Sequence, residues 1–528
     1  MSFNLVNQPW IPVMTPDFHV KEISLVELFQ TWESLREIQA DNPPTTLAIY
    51  RLLLAILHRA YHGPSNEDHW EEIFKDNGQG AIADLNKWRD RFDLLHTDHP
   101  FMQDPVLPLE KAVPIYALHT MSTCQVFSHE HEWSGYSISL PQAARLLVRL
   151  QGVDITSLRA FYVGQSSGNR SAVNTPTINA ANVLVRGSTL KQTLMLNLMR
   201  YDPAADMPSA VTGEDLPAWE TGYGGKPKKA RPQGYISYLT FPWRRLRLFP
   251  ENGEVSQLAI TMGNSLPDQV SPQKWECGVA YRENKPVRLS LSKQIWRNAD
   301  AFLLTAEKQH RPRIVDWLAD LKLEDLVDYV VTFQISGLSA DKAKPLGWSW
   351  EQFSAPIRYV TDADLSQTLK IAIAMAEEHK RIFGSFQGSP YYALAKELNP
   401  PNASNKAISQ QADRLAANLN GAIQYWATLD RAFPKLLHAL PQDSHTGADG
   451  ITRYGFKELP AWTQTVQTAA RNAFTESIAS IRNYQARAAA LRTLELKLAD
   501  LRASPEEKEA KKAKAAAKRK AKLQASAN

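Results

Sequence analysis

Cysteine is nearly absent: Cys124 and Cys277 are the only two in 528 residues. They lie far apart and neither has a C-x-x-C partner. That excludes a disulfide framework and a cysteine zinc site, and makes a reducing compartment the expectation. Long apolar runs are missing too. The most hydrophobic stretch, Leu47–Tyr61, is interrupted by Arg51 and His58, so no membrane span is predicted. The opening residues MSFNLV carry no basic-then-apolar leader, and a cytoplasmic protein is expected. No G-x-x-x-x-G-K-[ST], H-E-x-x-H or G-x-G-x-x-G occurs, which removes the usual phosphate loops and zinc-hydrolase helix. No cofactor and no metal are expected. Excess charge is also scarce outside one place. The net charge is +5, and residues 503–528 alone hold eight Lys/Arg against three Glu, so the rest of the chain is formally neutral. Any contact of the body with nucleic acid has to come from local patches.

Apolar content of 44% and 14 tryptophans are enough for a large core. The stretch FNLVNQPWIPV reads as a first strand closed by Pro12, and VKEISLVELF as a strand running into a short helix. Leu47–Tyr61 reads as a buried helix stopped by Gly63-Pro64, and Pro141–Gln151 as a short amphipathic helix. YISYLTFPW, RLRLF, WECGVAYR and VRLSL look like strands, and a helix-rich run begins near Asp300. Beyond Asp362 the pattern is wholly helical. One stripe is Leu365, Leu369, Ile373 and Ala376. A second is Leu415, Leu419, Ile423, Trp426, Leu429 and Phe433. A third runs from Trp462 through Ile481 to Ala488, Leu491, Leu494 and Leu498. The expected fold is therefore α+β: a large mixed N-terminal domain over residues 1–361, a C-terminal helical bundle of four-helix type over 362–502, and a basic Ala/Lys-rich tail over 503–528.

Candidate chemistry starts at Gly164-Gln165-Ser166-Ser167-Gly168, which spells G-x-S-x-G. A nucleophile elbow needs a strand before the serine and a helix directly after it. Here NRSAVNTPT is polar and reaches Pro176 before any apolar period begins, so a serine hydrolase using Ser166 is the alternative reading. A loop whose small residues let backbone N–H groups approach a ligand is preferred. His96, His99 and the HEHE run His129–Glu132 lack a third ligand cluster, so a polar loop is expected there rather than a metal site. Basic residues interleaved with aromatics are better represented. FPWRRLRLF carries Arg244 and Arg245, YGGKPKKAR carries Lys228 and Lys229, and WECGVAYRENKPVR runs from Trp275 to Arg288. These residues, with Lys511, Lys512, Lys518 and Arg519 of the tail, suit non-specific phosphate contact. A general RNA-binding scaffold acting through that tail is a further alternative.

Several segments resemble one family, the large subunit (CasA family) of the type I-E CRISPR Cascade surveillance complex. They are FNLVNQPWIPV, HPFMQ at His99–Gln103 with PLEK close behind, and TPTINAANVLVRGSTLKQTLMLNLM at Thr175–Met199. The resemblance implies a non-catalytic subunit that reads the protospacer-adjacent motif in double-stranded DNA and helps open the duplex into an R-loop. It also implies crRNA, the other Cascade subunits and a recruited helicase-nuclease as partners. By the same resemblance the family's glycine loop falls on Gly164, Gln165, Ser166, Ser167, Gly168 and Asn169, and its minor-groove cation on Lys285 or Arg282. Its strand wedge falls on Lys342, and its crRNA and subunit contact on Phe127, Ser128 and His129. The zinc-binding cysteine cluster of some members is missing here.

Overall fold

The protein is described from a computed structural model. It covers residues 2–119, 135–168, 170–205, 213–268, 270, 272, 275–291, 293–304, 309–321, 330–341 and 344–502. Contacts divide the chain into two compact units, Met1–Thr361 and Asp362–Asn528.

In the first unit, the strand Ile11–Met14 pairs antiparallel with Val20–Ile23 on one side and Glu37–Ile38 on the other. Pro12 sits inside this strand and does not close it. Its carbonyl accepts from Gln39 N, so the one bond its nitrogen cannot make is the reciprocal one to Gln39, just past the end of the two-residue partner strand. Ser24 then caps the helix Leu25–Thr31 through Glu27 N. The buried helix starts earlier than its apolar run. It spans Pro43–Tyr61, because Asn42 caps Thr45 N and the prolines occupy first-turn positions whose N–H groups have no helical partner anyway. It packs against Leu140–Gly152, which opens with a Ser139/Gln142 capping box.

A second sheet is built on Glu254–Met262, paired with Arg244–Glu251, Ala112–Pro114 and Ile138–Ser139. Asn252 and Gly253, both at positive φ (53° and 85°), make the tight turn between the two long strands. Three sequence expectations fail in this unit: YISYLTFPW contains a helix, Tyr235–Leu239, WECGVAYR contributes only Tyr281–Arg282 as strand, and VRLSL forms no strand beyond an isolated bridge at Ser290. Asp215 decides the first. Its carboxylate accepts from Ile236 N and Ser237 N, satisfying the helix's opening donors from 21 and 22 residues away. The supposed helical run after Asp300 also contains the longest hairpin, Val330–Asp341 with Lys344–Pro356, edged by Asn182–Arg186. Its β-branched and aromatic content (Val330, Val331, Phe333, Ile335) outweighs the helical surroundings.

The second unit is mainly helical, with four helices of 18 to 20 residues, Ala363–Lys380, Gly421–Ala439, Glu458–Ser477 and Tyr484–Arg502, but it is not wholly so: Ser444–Thr446 and Thr452–Tyr454 pair as a short hairpin around Gly447 and Gly450. Shorter helices Pro390–Leu398 and Asn405–Leu419 pack with them. The stripe at Leu365, Leu369, Ile373 and Ala376 is buried throughout. The stripe through Leu415 and Ile423 is not continuous. Asn420, at φ 43°, ends one helix and opens the next, the phase resets, and Ile423 lies 63% exposed. The third stripe likewise restarts after Ser477, on Ala486, Ala490, Leu494 and Leu498 in place of Ala488. Among the described residues no helix is long and apolar enough to cross a membrane.

Candidate functional site

Gly164 to Gly168 form the exposed tip of a hairpin whose legs, Ser157–Leu158 and Ser171–Ala172, pair antiparallel and continue through Arg159 N to Arg170 O at 3.1 Å. Both glycines need a left-handed backbone, φ 75° and 103°. A Cβ on either would meet nothing within 4 Å, so conformation and not space selects glycine. The segment after Ser166 returns as a strand. The strand-to-helix turn of a nucleophile elbow is therefore not formed, and the hydrolase alternative loses its geometry. Asn169 lies outside the described residues.

The hairpin is mounted on a buried ion cluster. Asp154 takes Arg244 Nε at 2.7 Å and Arg159 Nη2 at 3.1 Å. Burial by itself would raise the Asp154 carboxyl; the guanidiniums of Arg244, Arg159 and Arg149 outweigh it and hold the group below the ordinary carboxylate value. Arg244 also donates to Ile155 O at 3.2 Å and Val173 O at 2.8 Å, one on each leg, and so clasps the hairpin at its root. This corrects the expectation that Arg244 and Arg245 meet phosphate. They are 0% and 2% exposed. Arg245 spends its donors on Gly225 O, Pro242 O and Asn264 Oδ1.

A second hairpin, Tyr281–Arg282 with Lys285–Pro286, turns through Glu283 and Asn284, both at positive φ (49° and 60°). The register sets Arg282 opposite Lys285 and Tyr281 opposite Pro286. Alternation then gives each pair its own face. Arg282 is held by Asp300, with both carboxylate oxygens at 2.7 Å. Lys285 is exposed and makes no ion pair among the described residues.

The two hairpins border one cleft of about 470 Å³. The root of the glycine hairpin supplies Val173, Asn174 and Pro176, the second hairpin Asn284 and Pro286, and the chain just beyond it Arg288. Arg288, exposed and on the cleft, ends the basic-aromatic segment Trp275–Arg288 that the sequence offers for phosphate contact. The far wall is Ser265–Asp268. Lys229 docks there, bridging Ser265 through its backbone and pairing Asp268 at 3.1 Å, while Lys228 N bonds Asn264 Oδ1 at 3.3 Å. Both lysines are exposed.

Lys342, Phe127, Ser128, His129, Lys511, Lys512, Lys518 and Arg519 lie outside the described residues; the strands leading to Lys342 pair out to Asp341 and Lys344. His96 and His99 stack at 5.7 Å, and His96 Nδ1 accepts from the backbone of Asp98 and His99. Among the described residues no group of three His, Cys, Asp or Glu side chains is placed to hold a metal.

Residues 4–473 match the family described as CRISPR-associated protein Cse1. The chain is 28% identical over 468 residues to a CRISPR-associated protein CasA/Cse1 of Thermus thermophilus, covering 84% of this chain and 88% of that protein. Among solved structures it is similar to Cse1 of Acidimicrobium ferrooxidans, with a TM-score of 0.76 at 22% identity over 95% of this chain and 98% of the other. It is also similar to a chain of a CRISPR RNA-guided surveillance complex, with a TM-score of 0.71 at 18% identity over 94% and 99%. At these identities the structural likenesses establish the fold.

Proposed function

This chain belongs to the CRISPR-associated protein Cse1 family, and from that premise we propose that it is the duplex-reading large subunit of a crRNA-guided surveillance complex. The observation that supports the reading is a cleft bordered by the root of the glycine hairpin and by Asn284 and Pro286 of the second hairpin, with Arg288 on its lining. The edge of a protospacer-adjacent duplex enters between them. The main chain and small side chains of Gly164–Asn169 approach the minor groove, where readout is coarse and shape-dependent. Arg288 meets the groove and its phosphates from the cleft, Lys285 reaches the groove from the other face of its hairpin, and Lys228 and Lys229 serve as sequence-independent contacts. Lys342, beyond the paired end of the long hairpin, parts the strands, and Phe127, Ser128 and His129 contact crRNA and the neighbouring subunit. Pairing with crRNA then reads the remaining sequence, and the R-loop is presented to a helicase-nuclease.

The test compares motif-bearing with motif-free duplex in the assembled complex. Gly164→Asp, Lys285→Ala and Arg288→Ala are each expected to weaken the motif-bearing duplex about tenfold and the motif-free duplex less. Equal losses on both would reduce these residues to general phosphate contacts and overturn the reading.

A further inference from the structure

Arg282 and Lys285 stand directly opposite each other in the second hairpin, so their side chains share one face of the ladder. They are used differently. Lys285 is exposed, whereas Arg282, with its side chain 39% exposed, sets Nη2 2.7 Å from both carboxylate oxygens of Asp300. Asp300 is a firm anchor, because it belongs to the helix Ala299–Leu303, every residue of which is buried. The third strand of this sheet is tied to the same helix. Gln309, the ladder partner of Arg282 on its other side, donates its side-chain amide to Asp300 O at 2.9 Å and to Leu304 O at 3.0 Å.

The root of the hairpin is fixed without Arg282. Tyr281 is buried with Ala180 and Val279, and the Val287 main chain bonds Ala280 O at 2.9 Å and Ala181 N at 2.7 Å. The tip is not. Only two residues of each strand pair there, and the turn passes through Glu283 and Asn284, both left-handed. Asn tolerates that backbone and glutamate resists it. So short a ladder is marginal without side-chain support, and two like charges directly opposite each other weaken it further. The Asp300 carboxylate answers both: it ties one strand to the core and offsets the charge that Lys285 faces.

We propose that Arg282, clamped by Asp300, is the positioning residue of this hairpin: it fixes the tip so that Lys285, across the ladder, is presented to the duplex at one place. Arg282 itself makes no contact with DNA, and Asp300 contributes to discrimination without reaching it. The inference rests on the duplex-reading proposal, in which Lys285 is the groove cation.

The experiment compares motif-bearing with motif-free duplex on the assembled complex. Arg282→Gln and Asp300→Asn, one from each side of the pair, are each expected to lower the ratio of the two affinities about fivefold. In a Lys285→Ala background Arg282→Gln is expected to lower it no further, because its effect passes through the lysine. An equal further loss in that background would make Arg282 a DNA contact in its own right and overturn the proposal, as would an unchanged ratio in both single variants. Hydrogen exchange on the full-length protein without DNA reads the brace by itself. Residues 281–287 are expected to exchange faster in both variants while the glycine hairpin keeps its rates; unaltered exchange at 281–287, or faster exchange throughout the chain, overturns the brace. A ratio untouched by Lys285→Ala, with exchange at 281–287 still accelerated in the two variants, would overturn the duplex reading and leave the brace standing, so the two failures are distinguishable.

Discussion

His58 lies fully buried in the helix Pro43–Tyr61, its Nδ1 2.9 Å from Gly63 O and its ring against Tyr201 and Tyr235. Burial pushes its pKa down to about 4, against the opposing bond to Gly63. The folded protein therefore keeps this ring neutral while the unfolded chain takes up a proton near pH 6.5. Stability from this site is complete above pH 6.5 and is lost as pH falls toward 4, a loss of about 3 kcal/mol. Urea unfolding at pH 7 and pH 4 is expected to show that difference in the wild type and to lack it in His58→Gln. Arg244 is the second residue of this kind. Arg244→Met strands the buried Asp154 carboxylate and is expected to cost about 3–5 kcal/mol by urea unfolding, with proteolysis at the glycine hairpin rising. The sequence displays the charge of Arg244 but not its partner 90 residues away, which is why it reads as a phosphate contact. Lys285, singled out by the family resemblance, is exposed and makes no ion pair among the described residues.

Elements were legible where an apolar run decides them, as in the buried helix ending at Tyr61, while the caps Ser24, Asn42 and Ser139 and the Asn252-Gly253 turn set bounds that the apolar runs alone did not show. They were misread where a distant group decides, as when Asp215 caps Tyr235–Leu239, or where a single residue resets a phase. At Asn420 the apolar period continues in sequence while the helix does not. Ile423→Lys is accordingly expected to change stability by less than about 0.5 kcal/mol. Leu429→Ala, on the buried face of the same helix, is expected to cost about 2–5 kcal/mol. Thermal unfolding of the pair checks both. The candidate site divides in the same way. The glycines announced a loop at 164–168, but the two hairpins and the cleft they border are set by long-range pairing and became visible only in the structure.

Across the whole molecule, charge is separated from recognition. The body is formally neutral and residues 503–528 supply the entire +5. Deleting that segment is expected to flatten the slope of log affinity against log salt, by up to about 0.9 for each phosphate that the tail had neutralised, while leaving the ratio of motif-bearing to motif-free binding intact. Disappearance of all affinity would instead favour the tail-driven scaffold. The clasp of Arg244 extends this separation to the reading loop itself. It grips main-chain oxygens of Ile155 and Val173, outside the tip, so nothing in its hold depends on which side chains the tip carries. The tip can therefore change its residues as an interchangeable cartridge while its socket stays untouched.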